Sequence, residues 1–185
     1  MDFARVLAEV ARFLEREGAR FGLAGAFALR AHGLGRLTSD LDLVVEAKVQ
    51  PALLRFLEGL GYEQLNVSGG FSNHLHSSAA WGRLDFIYVD SSTADALFEG
   101  AVRSDLFPGV EVLVPRAEHL AAMKVHAIKM DPARTFKDLA DIQFLLGLPG
   151  IDEQEIRGYF ERQGLLERFN EIKDNLAAVA RDDSR

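Results

Sequence analysis

With 185 residues, 48% of them apolar, the chain can build one compact domain or a small domain with a helical extension. The lack of cysteine excludes disulfides and thiolate metal sites, and no apolar run is long enough to span a bilayer. A net charge of −7 argues against a protein that coats nucleic acid nonspecifically, because that affinity comes from cations displacing counterions; it leaves nucleotides and nucleic acids open as substrates.

The chain starts Asp2-Phe3-Ala4-Arg5, without a cationic-then-apolar leader, so no export and a cytoplasmic location are expected. Asp2 can cap a helix to about Arg16, with Phe3, Val6, Leu7, Val10, Phe13 and Leu14 on one face and Gly18 closing it. An apolar strand from Phe21 ends at Gly25, where a helix of about two turns begins that stops near Gly33. Glycine at such a turn allows close backbone approach, and the first amides of the helix, with its dipole, suit a phosphate. On the residues alone, an ordinary tight turn accounts for Gly25-Ala26 equally well.

The loop Leu34–Ser39 leads into the most informative stretch, Thr38 to Glu46, which reads as a strand. Asp40 and Asp42 stand at i and i+2 and point to one side, while Leu41 and Leu43 face the other. Adjacent acids repel and strands are depleted in Asp, so a bound divalent cation is the expected compensation. The structural alternative is a solvent-facing strand that happens to carry two acids. Thirteen residues separate Ala26 from Asp40, enough for a short helix and a return to a neighbouring strand, so turn amides and carboxylates can meet at one end of a sheet. Arg36 and Thr38 are placed to touch a triphosphate, or else to serve as a loop cation and a strand-initiating hydroxyl.

Further along, Pro51–Leu60 reads as a helix, Tyr62–Val67 as a strand and Ser68-Gly69-Gly70 as a turn. Phe71 to His76 alternates as a strand with His74 and His76 on one face; no motif completes a histidine metal site, so a polar strand face lining a cleft is expected. Arg83 to Asp90 alternates as a strand with Arg83 and Asp85 on one face and Leu84, Phe86 and Tyr88 on the other. A helix at Ala94–Glu99 and strands at Arg103–Leu106 and Val110–Val114 precede Pro115, which opens an all-helical part. The expected division is therefore 1–114 and 115–185.

In the second part a helix runs to about Met130 and another from Ala133 to Leu146 behind the Asp131-Pro132 start signal. Arg134 with Asp138 and Lys137 with Asp141 can form i, i+4 ion pairs worth only about 0.2–0.5 kcal/mol each. The cations also sit near a helix N-terminus, where they oppose the dipole, so an anion partner explains them as well as ion pairing does. Helices at 152–160 and 165–179 read as packing elements, and 181–185 as a polar tail.

Gly25-Ala26, a thirteen-residue spacer and Asp40-Leu41-Asp42-Leu43 together resemble the signature of the DNA polymerase beta-type nucleotidyltransferase superfamily, with Ala26 where that family has Gly or Ser. Arg83-Leu84-Asp85-Phe86-Ile87, then Leu120–Lys124, Arg134 and Lys137-Asp138-Leu139-Ala140-Asp141-Ile142, resemble its AbiEii-like branch, whose Lys stands at Arg83 here. The resemblance implies an α+β fold with a palm-like mixed sheet and a C-terminal helical bundle. It implies transfer of a nucleoside monophosphate from an NTP to an acceptor hydroxyl, releasing pyrophosphate, with two Mg2+ ions on Asp40, Asp42 and Asp85. Gly25, Ala26, Arg36, Thr38, Lys124, Lys137, Asp138 and Asp141 would then bind the nucleotide. The implied partners are an acceptor such as tRNA, a protein or a small hydroxylated molecule, and an antitoxin. A toxin–antitoxin component acting through a protein partner, and a nucleotide-binding module without catalysis, are the alternative readings.

Overall fold

A computed structural model describes the backbone of residues 1–182 and the side chains through residue 178. The chain divides into two compact units, Met1–Arg116 and the residues from Ala117 onward. The expected α+β fold, with a mixed sheet and C-terminal helices, forms.

The first unit holds α1 (Phe3–Arg16), β1 (Phe21–Leu23), α2 (Gly25–Ala31), β2 (Asp40–Glu46), α3 (Gln50–Gly59), β3 (Tyr62–Val67), β4 (Phe71–His76), β5 (Arg83–Val89), α4 (Ser91–Phe98), β6 (Val102–Phe107) and β7 (Val110–Val114). The strands form one sheet in the order β3-β4-β5-β2-β1-β7-β6. β2 runs antiparallel to β1 and parallel to β5, so the sheet is mixed. Asp2 caps α1 by accepting a hydrogen bond from the Arg5 N–H at 3.2 Å. That helix buries Val6, Leu7, Val10, Ala11, Phe13 and Leu14, the apolar face its spacing specifies. Leu41 and Leu43 from β2, and Leu84 and Phe86 from β5, are fully or almost fully buried on one face of the sheet and form its core. The other face is left to the aspartates.

The second unit holds α5 (Ala117–Met130), a 3₁₀ turn (Pro132–Arg134), α6 (Thr135–Leu146), α7 (Glu153–Arg162) and α8 (Leu166–Asp182). Val125, Ile142, Leu145, Ile156, Phe160, Phe169 and Ile172 are its core. The polar tail expected over 181–185 is helical backbone as far as Asp182, and 183–185 lie outside the described residues. Among the described residues no helix is long and apolar enough to cross a membrane.

Candidate active site

The site is built on two neighbouring parallel strands. β2 and β5 pair in register, Asp42 opposite Asp85 and Asp40 opposite Arg83, and strand alternation puts all four on the same face. One carboxylate oxygen from each of Asp40, Asp42 and Asp85 lies within 4.8 Å of the other two, and all three residues are half-buried. The Thr38 hydroxyl donates to the Asp40 carboxylate. Nε of Arg83 donates to both oxygens of Asp85, at 2.9 and 3.2 Å.

The glycine turn is tied to the same place. The Ala24 N–H donates to the Asp42 carbonyl at 2.9 Å, and Ala24 is the N-cap of α2, with no side chain capping the helix. Gly25 has φ 54°, and a Cβ added to it would overlap the Asp42 carboxylate. Glycine is required on both counts: the left-handed backbone, and contact of a carboxylate with bare Cα. Ala26, next to it, is buried.

Three hard carboxylates converging this closely fit a magnesium centre. Ligand atoms on opposite sides of an octahedral ion at about 2.0–2.1 Å stand roughly 4 Å apart, so the spacing of this trio is of the size a divalent cation spans. Among the described residues this is the one group of acids and histidines so placed. Asp90, which follows β5, is spent elsewhere. It caps α4, accepting from the Thr93 N–H at 2.7 Å and the Ser92 hydroxyl at 2.8 Å, and those hydrogen bonds hold its carboxyl below the usual range.

The β4 histidines correct the expectation of a polar face lining a cleft. Asn73, not His74, pairs opposite Asp85, so His74 and His76 lie on the reverse face of the sheet. His74 and Ser72 are completely buried there: His74 Nε2 meets the Ser72 hydroxyl at 2.8 Å, and that hydroxyl meets the Tyr88 hydroxyl at 2.8 Å. Burial pushes the His74 imidazole below its ordinary pKa, with the Asp85 charge partly opposing. His76 accepts the Ser78 N–H at Nδ1, so its Nε2 carries the proton donated to the Leu60 carbonyl. The apolar residues of β4, Phe71 and Leu75, are the exposed ones. Asn73 is the neighbour of the acids that sequence reasoning missed; only the strand register reveals it.

In the second unit Lys124 is buried on α5 and donates to Asp138 at 3.0 Å and Asp141 at 2.5 Å, both buried on α6. Arg134 Nε donates to the other oxygen of Asp138 at 3.1 Å, which is the first of the two expected i, i+4 pairs. The second does not form: Asp141 turns inward to Lys124, and Lys137 stays exposed. Two cations against two carboxylates balance, which makes their burial tolerable. Arg36 and Thr38 are half-buried in the loop before β2.

Solved structures with this backbone place the chain in the nucleotidyltransferase fold. ANT(2'')-Ia in complex with adenylyl-2''-tobramycin matches with a TM-score of 0.56 at 11% identity, over 95% of this chain and 99% of that one. An antigenic nucleotidyltransferase-like protein from Paracoccidioides brasiliensis matches at 0.53 and 17% identity, over 91% and 92%. The lincomycin-bound lincosamide antibiotic adenylyltransferase LnuA matches at 0.50 and 15% identity, over 77% and 96%. No curated protein sequence matches the chain. The family model described as "Nucleotidyl transferase AbiEii toxin, Type IV TA system" matches residues 10–184, and the chain belongs to that family.

Proposed function

We propose that this protein moves a nucleoside monophosphate from an NTP to an acceptor hydroxyl, with Asp40, Asp42 and Asp85 as ligands of two magnesium ions. The observation that carries the reading is the convergence of the three carboxylates beside the Gly25 turn. In the reaction the acceptor oxygen forms a bond to the α-phosphorus and the bond from that phosphorus to the bridging oxygen breaks. Pyrophosphate leaves with the electron pair. Asp85, the carboxylate on the second strand, orients the acceptor hydroxyl and takes its proton. When bound, the magnesium ions supply positive charge for the triphosphate and stabilise the entering and leaving oxygens.

The amides of Gly25 and Ala26, with Arg36 and Thr38, are the proposed phosphate contacts of the first unit. Lys137 and the Lys124–Asp138–Asp141 cluster are the proposed contribution of the second, on the strength of the family motif. Ala26 keeps the amide and lacks the serine hydroxyl of the superfamily pattern. The acceptor is a hydroxylated molecule of the cytoplasm, tRNA or a protein among them, and an antitoxin is the proposed partner, in keeping with the family's description.

Incubation of the protein with each α-labelled NTP, Mg2+ and a pool of total tRNA or lysate tests this. Label should pass to an acceptor with release of pyrophosphate, and chelation should stop it. Asp40→Ala and Asp42→Ala should each reduce transfer about a thousandfold or more, the rate equivalent of several kcal/mol of lost charge stabilisation. Their far-UV circular dichroism should not change. Full transfer by both variants, or nucleotide binding with no pyrophosphate release from the unaltered protein, overturns the proposal.

A further inference from the structure

The acidic trio carries its own cation. Arg83 sits two residues before Asp85 on β5, on the same face, and directly opposite Asp40 on β2. Three carboxylates with one oxygen each within 4.8 Å of the others repel strongly, and one guanidinium among them offsets part of that repulsion. The contact is lopsided. Nε alone holds both Asp85 oxygens, and the two Nη groups, with four N–H donors, reach no protein acceptor among the described residues. The Arg83 side chain is 42% exposed and that of Asp85 17%, so the pair is partly open to solvent and those donors face water. A guanidinium with its outer edge unfilled is a ready site for a phosphate oxygen.

We infer that Arg83 makes metal loading depend on the nucleotide: it weakens the trio's hold on a divalent cation arriving alone, and its outer edge binds a phosphate when cation and triphosphate arrive together. This rests on the proposed metal-binding role of Asp40, Asp42 and Asp85. The two effects have opposite signs, which sets this positioning role apart from a structural one. A fixed positive charge beside Asp85 repels a lone cation. The same charge attracts the anionic metal–triphosphate complex, and the difference appears as coupling between the two ligands. A residue that merely held Asp85 in place would strengthen both.

Mn2+ binding to the nucleotide-free full-length protein, followed by electron paramagnetic resonance, reads the first effect. Arg83→Met should bind Mn2+ about fivefold more tightly or better, in line with removal of a partly screened like charge. In the presence of Mn2+, calorimetry with the four α,β-methylene nucleoside triphosphates reads the second. The analogue that binds the unaltered protein should bind Arg83→Met more weakly by a similar factor. Arg83→Lys, which keeps the charge and loses the planar edge, should leave Mn2+ affinity near that of the unaltered protein while weakening the analogue. Equal or weaker Mn2+ binding by Arg83→Met overturns the inference and leaves the metal assignment standing. Failure of the unaltered protein and the variants alike to bind Mn2+ overturns the metal assignment itself, and this inference with it.

Discussion

The site turns on where a few atoms cannot go. Gly25 lies at a left-handed φ of 54° with its bare Cα against the Asp42 carboxylate. Gly25→Ala should therefore cost about 1–2 kcal/mol in backbone strain, read as a modest fall in melting temperature. It should also push Asp42 aside and reduce transfer about a hundredfold, the penalty for a displacement on the order of 1 Å at a reacting centre. A variant with unchanged transfer would mean that Asp42 acts from another position. At this scale the sequence was eloquent about the acids: the i, i+2 spacing of Asp40 and Asp42, and the alternation around Asp85, are properties of any extended strand. It was silent on Thr38 and Arg83 as partners of those acids, because a hydroxyl or guanidinium reveals its acceptor only once both side chains have positions.

Among the elements, β4 and α6 mark the boundary of what a pattern can say. Alternation in β4 correctly groups His74 with His76, but it does not say which face of the sheet the pair occupies. Polarity pointed the wrong way, since Phe71 and Leu75 are exposed while Ser72 and His74 are buried. The Tyr88 hydroxyl reverses the expectation by giving the buried serine and histidine a polar neighbour on the next strand. In α6 the spacing correctly gave the Arg134–Asp138 pair and missed that Asp141 answers to Lys124 on another helix. Local spacing carries no information about a partner seventeen residues away. Lys124→Met should leave two buried carboxylates short of a cation and destabilise the helical unit by about 3–5 kcal/mol. Lys137→Met, on the exposed side of the same helix, should change stability by no more than about 0.5 kcal/mol. Denaturant unfolding followed by circular dichroism compares them; equal effects would mean that the buried cluster is not what holds these helices.

For the molecule as a whole, acid is the informative stress. Glu46 is buried at the end of β2, where the Arg20 guanidinium donates to it at 2.8 Å and the Arg20 N–H at 3.0 Å. Hydrogen bonding from the Arg20 side chain holds its carboxyl down at about 2, against an ordinary 4.5. The unfolded chain therefore binds the extra proton first. The stabilisation is complete above the ordinary value and is lost as pH falls from about 5 toward 2. Buried His74 acts in the same direction at higher pH, because its lowered pKa makes the unfolded chain the better proton acceptor below about 6.5. Denaturation midpoints measured against pH should fall in two stages, and Glu46→Gln should flatten the lower one alone. A lower stage that survives Glu46→Gln would assign it to other carboxylates. The parallel pairing of β2 with β5 also has a consequence for synthesis. Asp40 and Arg83 are partners across a crossover that contains α3, β3 and β4, and at about 5–20 residues per second the ribosome makes the second strand several seconds after the first. Until then the newborn chain carries two acids on an unfinished sheet edge and lacks the third, so the three carboxylates come together only once β5 has been made, and a product truncated before Asp85 never assembles them.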